Sequence, residues 1–185
     1  MGEAALDMLA YGTEPTKSSG SDDSSGSSAG GDWGFPFKKP GTVLTHPEQN
    51  FGGARTGGTH DGTDFLFNQW PHGGNIKAVH GGTVKYVGAG AGSWTRGIII
   101  ITTADDGYSV CYQEFGTTAN AKVKKGDKVK TGDVIGTRGT GASHFHVHVG
   151  VTKHGWKKLY NGSMSTSGFE DPLKLIAGKN HGSFK

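Results

Sequence analysis

Histidines 144, 146 and 148 alternate with Phe145, Val147 and Val149. A β-strand sends residues i, i+2 and i+4 to one face. As a strand, this stretch lines three imidazoles along one side and gives its apolar residues to a core on the other. Neutral imidazole is the commonest metal ligand. Nine histidines in 185 residues would produce His-x-His-x-His by chance about 0.02 times. The pattern is therefore read as a motif, set against the plainer reading of partly exposed strand histidines.

A second stretch holds chemistry of the same kind, His60-Asp61-Gly62-Thr63-Asp64-Phe65-Leu66-Phe67. His60 and Asp64 stand four apart, with Gly62 between them to permit a bend. Asp64 leads into an apolar strand. Such a pair arises by chance about 0.5 times in this composition, so it gains weight only by meeting the first stretch in space. If His60, Asp64 and one strand histidine converge, two imidazoles and a carboxylate form a catalytic zinc set: three protein ligands and an open fourth position. Closed structural zinc sites are usually rich in cysteine, and the chain has one cysteine, Cys111. An open zinc polarises carbonyls and acidifies water. The reaction then needs a proton carrier and a donor for the developing oxyanion. With His146 as ligand, His144 lies two residues away on the same face, placed to hold water or the tetrahedral intermediate. His148 lies further along and is read as an outer-layer or exposed residue without a catalytic role.

Short strands must position these groups. With 34 glycines and only 32% hydrophobic residues, the composition favours strands joined by glycine turns over long helices. Strands are expected at residues 43–45, 76–79, 83–87, 97–102 and 108–115, and again at 156–160. Asp105-Asp106-Gly107 is a hairpin turn. His72 and His80, beside Gly-Gly pairs, read as turn residues. Two Lys-x-Gly-Asp units, at 124–127 and 130–133, read as turns. Trp33, Phe35 and Phe37 are expected on the domain edge. Asp171 and Pro172 have the types that begin a helix, as N-cap and first residue, and a short helix is expected there.

Ahead of this domain, residues 2–10 favour helix, and residues 18–31 are almost all Ser, Gly and Asp and read as a flexible tether. The expected organisation is a helical segment and linker over 1–32, one domain over 33–178, and a disordered tail over 179–185. A net charge of +3 suits loose attraction to an anionic polymer such as a cell wall and does not indicate a nucleic-acid partner. The lysines between 122 and 130 read as a solvated edge. One cysteine excludes an intrachain disulfide. No apolar run is long enough to insert in a membrane, and the amino terminus lacks the pattern of a secretory signal.

The ordered combination of motifs resembles the lysostaphin-like zinc endopeptidases that cut peptidoglycan cross-links. It comprises His60-x-x-x-Asp64, then Gly126-Asp127-x-Val129 to Val134-Ile135-Gly136, then a glycine-rich loop and His144-Phe145-His146. The likeness runs from about residue 43 to 176. It implies an all-β domain with an antiparallel β-sheet of duplicated-hybrid-motif type, few short helices and a substrate groove. It also implies Zn²⁺ held by His60, Asp64 and His146, a catalytic His144, and a peptidoglycan peptide as substrate. The location implied is the extracellular cell wall or a virion. One position departs from the family pattern. Where members carry a second catalytic histidine in Tyr-x-His, this chain reads Tyr112-Gln113-Glu114. A carboxylate beside zinc serves as general base in His-Glu-x-x-His proteases, so Glu114 is expected to accept the proton of water while His144 steadies the oxyanion. Two other readings share the fold: a non-catalytic wall-binding or regulatory module, and a passive virion domain. The tether suits a larger parent such as a phage tail or endolysin protein.

Overall fold

The structure is a computed structural model and describes residues 31–37, 49–66, 73–90, 97–139 and 146–179. The expected strand at 43–45, His72, His144, the helical segment and all but the last residue of the tether fall outside these residues.

Among the described residues, ten strands and two short α-helices follow in order. A hairpin of β1 (Ala54–Arg55) and β2 (Gly58–Thr59) leads to β3 (Gly62–Leu66), β4 (Asn75–Lys77) and β5 (Gly82–Ala89). Then come β6 (Ile98–Thr103), β7 (Ser109–Gln113), β8 (Lys128–Val129), β9 (Val134–Thr137) and β10 (His146–Thr152). Helices α1 (Trp156–Asn161) and α2 (Pro172–Lys179) close the chain. A six-stranded sheet has the order β3-β10-β7-β6-β5-β8, and a separate pair joins β4 to β9. Every pairing is antiparallel, as expected of an all-β domain.

Alternation along the strands gives the large sheet two apolar faces. Ile98 and Ile100 of β6, Val110 and Tyr112 of β7, and Val147, Val149 and Val151 of β10 share one core. That core also takes Ile76 and Ile135 from β4 and β9, Ile176 from α2, and Trp33 and Phe37 from the entering segment. Ile99, Ile101 and Cys111 face the other way, against Leu159 of α1 and Phe169. Each fully buried isoleucine contributes roughly 1.5–3 kcal/mol. A strand buried on both faces reads as a continuous apolar run, and Ile98–Ile101 is such a run.

Three expectations change. Trp33 and Phe37, 2% and 4% exposed, lie inside the first core instead of on an edge, with Phe35 partly buried against it. The Trp33 ring stacks on the equally buried His80 at 4.1 Å between centroids. His80 stays at a bend, as expected, but Asp106 holds its Nε2 at 3.0 Å. Residues 156–160 form a helix, not a strand. Leu159 faces the sheet while Trp156 and Tyr160, four apart, meet on one side, a helical spacing that outweighs the strand preference of aromatics. The strand expected over 108–115 is narrower, because Glu114 adopts a left-handed φ of 71°.

Both Lys-x-Gly-Asp units are turns. Asp127 accepts the Lys124 N–H at 2.9 Å and Asp133 the Lys130 N–H at 2.7 Å. At α2, Asp171 accepts the Leu173 N–H at 2.9 Å, the capping contact expected of it. The buried Tyr112 hydroxyl accepts the Val79 N–H at 2.8 Å and joins the two layers. Tyr112→Phe leaves that donor unpaired and should cost about 1–3 kcal/mol. Thermal melting should show the loss, at about 2–4 °C per kcal/mol for a chain of this size, with site chemistry unchanged.

Candidate metal centre and groove

Strand register builds the site. On β10, valines 147, 149 and 151 take the first core, so His146 and His148 face the other side, where α1 leaves part of the sheet uncovered. His148 stands directly opposite Asp64 of β3 on one side and Gln113 of β7 on the other. His60 comes from the turn between β2 and β3. These groups line a groove of about 580 Å³ together with Gln49, Arg55 and a wall of residues 161–164.

Three ligand-type atoms converge there. His60 Nε2 lies 3.0 Å from His148 Nδ1 and 3.2 Å from Asp64 Oδ1, and His148 Nδ1 lies 3.0 Å from the same Asp64 oxygen. Ligands at about 2.0–2.1 Å from a tetrahedral zinc stand about 3.3–3.4 Å apart, so this triangle is nearly the size a zinc requires. The chemistry of the atoms fits as well. His60 Nδ1 lies 3.1 Å from the Asn50 carbonyl. With its proton donated there, Nε2 presents a bare lone pair. The second Asp64 oxygen takes Arg55 Nη2 at 3.0 Å, which leaves Oδ1 for the triangle. A cation is what relieves lone pairs gathered in this way.

Beside the triangle, His146 Nε2 and Glu114 Oε2 are 2.6 Å apart, and His146 Nε2 is 3.7 Å from Asp64 Oδ1. Glu114 is the one residue other than glycine with positive φ among those described. That conformation costs an L-residue roughly 1–2 kcal/mol. Here it accompanies a carboxylate turned toward an imidazole.

The protein groups alone set the local charge. Burial would raise the Asp64 carboxyl, but its contacts with the His148 and His60 rings, and the charges of His148 and His146, hold it far below the carboxylate range. Burial likewise opposes ionisation of Glu114, and the hydrogen bond from His146 overrides it, so its pKa is lowered. For His148, burial favours the neutral ring, while the bond to Asp64 and that carboxylate's charge raise its pKa.

Of the residues expected at the site, His60, Asp64, His146 and Glu114 are together, and His144 falls outside the described residues. The imidazole that closes the triangle with His60 and Asp64 is that of His148. His148, read from the sequence as an outer or exposed residue, is buried, and the pairing of β10 with β3 sets it opposite Asp64. Arg55 and the Asn50 carbonyl had no motif to announce them.

Gly62 is part of the fit. A methyl there would run into the Val149 carbonyl oxygen and stand 2.6 Å from His148 Nε2. Gly62→Ala should displace the ring. We expect a loss of about 1–3 kcal/mol by thermal melting, the cost of overpacking, and weaker zinc uptake in a chelator competition.

Comparison with known proteins agrees with this architecture. The sequence profile of peptidase family M23 matches residues 58–159. A crystal structure of CbpA from L. salivarius REN is 32% identical, with a TM-score of 0.66 over 80% of this chain and 96% of that one. The catalytic domain of the antimicrobial peptidase lysostaphin from Staphylococcus simulans is 26% identical, with a TM-score of 0.50 over 69% of this chain and 89% of that one. LytU is 26% identical, with a TM-score of 0.54 over 78% of this chain and 93% of that one. No curated protein matches. With a groove floored by histidines and carboxylates on an antiparallel sheet, and a family match over more than half its length, the chain belongs to peptidase family M23, the lysostaphin-like family.

Proposed function

We propose that the protein is a zinc-dependent endopeptidase that hydrolyses cross-links or stem peptides of bacterial peptidoglycan. The observation that carries this reading is the convergence of His60 Nε2, Asp64 Oδ1 and His148 Nδ1 within 3.0–3.2 Å of one another beside the Glu114–His146 pair. These three residues are the proposed ligands, with His148 in the place that the resemblance gave to His146. Zinc bound there would supply a Lewis acid for the scissile carbonyl.

The chain's own groups do the rest. The groove holds the peptide extended across the floor. Glu114, ionised at neutral pH, takes a proton from the attacking water while the water oxygen bonds to the carbonyl carbon. The C–N bond breaks as that proton passes to the leaving amine nitrogen. His146, hydrogen-bonded to Glu114, is the adjacent donor for negative charge on the former carbonyl oxygen, the role first given to His144. Arg55 keeps Asp64 oriented. The Ser/Gly stretch before residue 31 suits a hydrolase tethered within a larger wall or phage protein, acting outside the cell.

Clearing of a peptidoglycan suspension tests this reading. Activity should vanish with a chelator and return with zinc, and mass spectrometry of the fragments should identify the bond. Binding to walls without release of any fragment would instead establish a non-catalytic module.

A further inference from the structure

We propose that Asp61 is a positioning residue that keeps the His148 proton on Nε2, so that Nδ1 is left bare for the metal, and that ties this ligand to the groove wall. The inference rests on the metal reading above and extends it to a residue outside the triangle.

Nδ1 of His148 faces His60 and Asp64, so the ring's other nitrogen must carry the proton if Nδ1 is to ligate. A carboxylate behind a ligating imidazole fixes the tautomer and raises the basicity of the ligand. Asp61 Oδ1 is placed for this, 3.6 Å from His148 Nε2, with a side chain only 13% exposed. That separation is an ion-pair distance; among the described residues no group hydrogen-bonds that nitrogen, and its ring edge lies against Gly62. Asp61 cannot swing freely, because its second oxygen accepts the Ser163 N–H at 2.8 Å. Ser163 lies in the groove wall. One carboxylate thus connects the wall to a floor ligand. His60 is held differently, by the neutral Asn50 carbonyl, so the two imidazoles differ in the charge behind them.

The test compares Asp61→Asn and Asp61→Ala with the parent by zinc competition against a chromophoric chelator, with melting curves to establish folding. Asparagine can keep the Ser163 contact through its oxygen, but it then turns an NH₂ toward His148 Nε2 and favours the wrong tautomer. Asp61→Asn should therefore bind zinc roughly 10–100-fold more weakly than the parent, the range for lost outer partners of ligating histidines. It should also bind more weakly than Asp61→Ala. A merely structural role predicts the reverse order, since asparagine is the closer shape. Asparagine binding as well as the parent, or better than alanine, overturns the proposal. Ring ¹⁵N shifts of the zinc-loaded parent keep the proposal open to refutation even if both variants misfold. A protonated Nε2 supports the assignment, and ligation through Nε2 overturns it while leaving the metal reading intact. A parent that binds no zinc overturns the metal reading and this inference with it.

Discussion

Replacing His148 with alanine should strip bound zinc from the protein and lower turnover by roughly 10³-fold or more, beyond the 10–100-fold typical of outer-shell changes. The residue supplies one corner of a triangle whose sides are 3.0–3.2 Å, and two remaining donors do not make a catalytic zinc site. The informative comparison is with His146→Ala. His146 lies on the same face two residues away, but its Nε2 is 2.6 Å from Glu114 and 3.7 Å from Asp64. His146→Ala should keep stoichiometric zinc and lose hydrolysis. Zinc content by elemental analysis, beside release of peptide fragments, reads both. Zinc retained in His148→Ala and lost in His146→Ala would reverse the two assignments.

Glu114→Gln should keep zinc and lose turnover by about 10²–10⁴-fold, the usual contribution of a positioned proton carrier. Glutamine preserves the length of the side chain and an oxygen that can accept from His146. It removes only the ability to take up a proton. Burial opposes its ionisation, but the contact with His146 lowers the carboxyl, so it stands ionised at neutral pH. Because the change falls on the chemical step, kcat should drop while KM stays near the parent value. Cleavage as fast as the parent would remove Glu114 from the mechanism.

The sheet was legible in the sequence for local reasons, while the assignments of residues to a site came from the family resemblance. Alternation in residues 146–151 and the isoleucine run at 98–101 announce strands with definite faces. The Lys-x-Gly-Asp turns are read from their own residues. The choice between His146 and His148 was not legible, and the reason is periodicity. Shifting a strand by two residues leaves the same set of side chains on the same face. Only the long-range pairing of His148 with Asp64 fixes which ring sits over the triangle. Glu114 was legible as a departure from the family pattern, but its left-handed backbone was not, since glutamate rarely adopts it. The helix at Trp156–Asn161 was hidden by its aromatics, which suit a strand until the sheet beneath selects Leu159 as the inward residue.

Trp33 packs into the core on the far side of the sheet from His146 and His148, and the Gly34 N–H donates to the Val79 carbonyl at 2.8 Å. Whatever is joined ahead of residue 31 thus meets the domain on the face of the large sheet away from the groove. An amino-terminal carrier, whether a fusion partner or a solid support, would leave the groove facing outward, open to a polymer too large to diffuse to it.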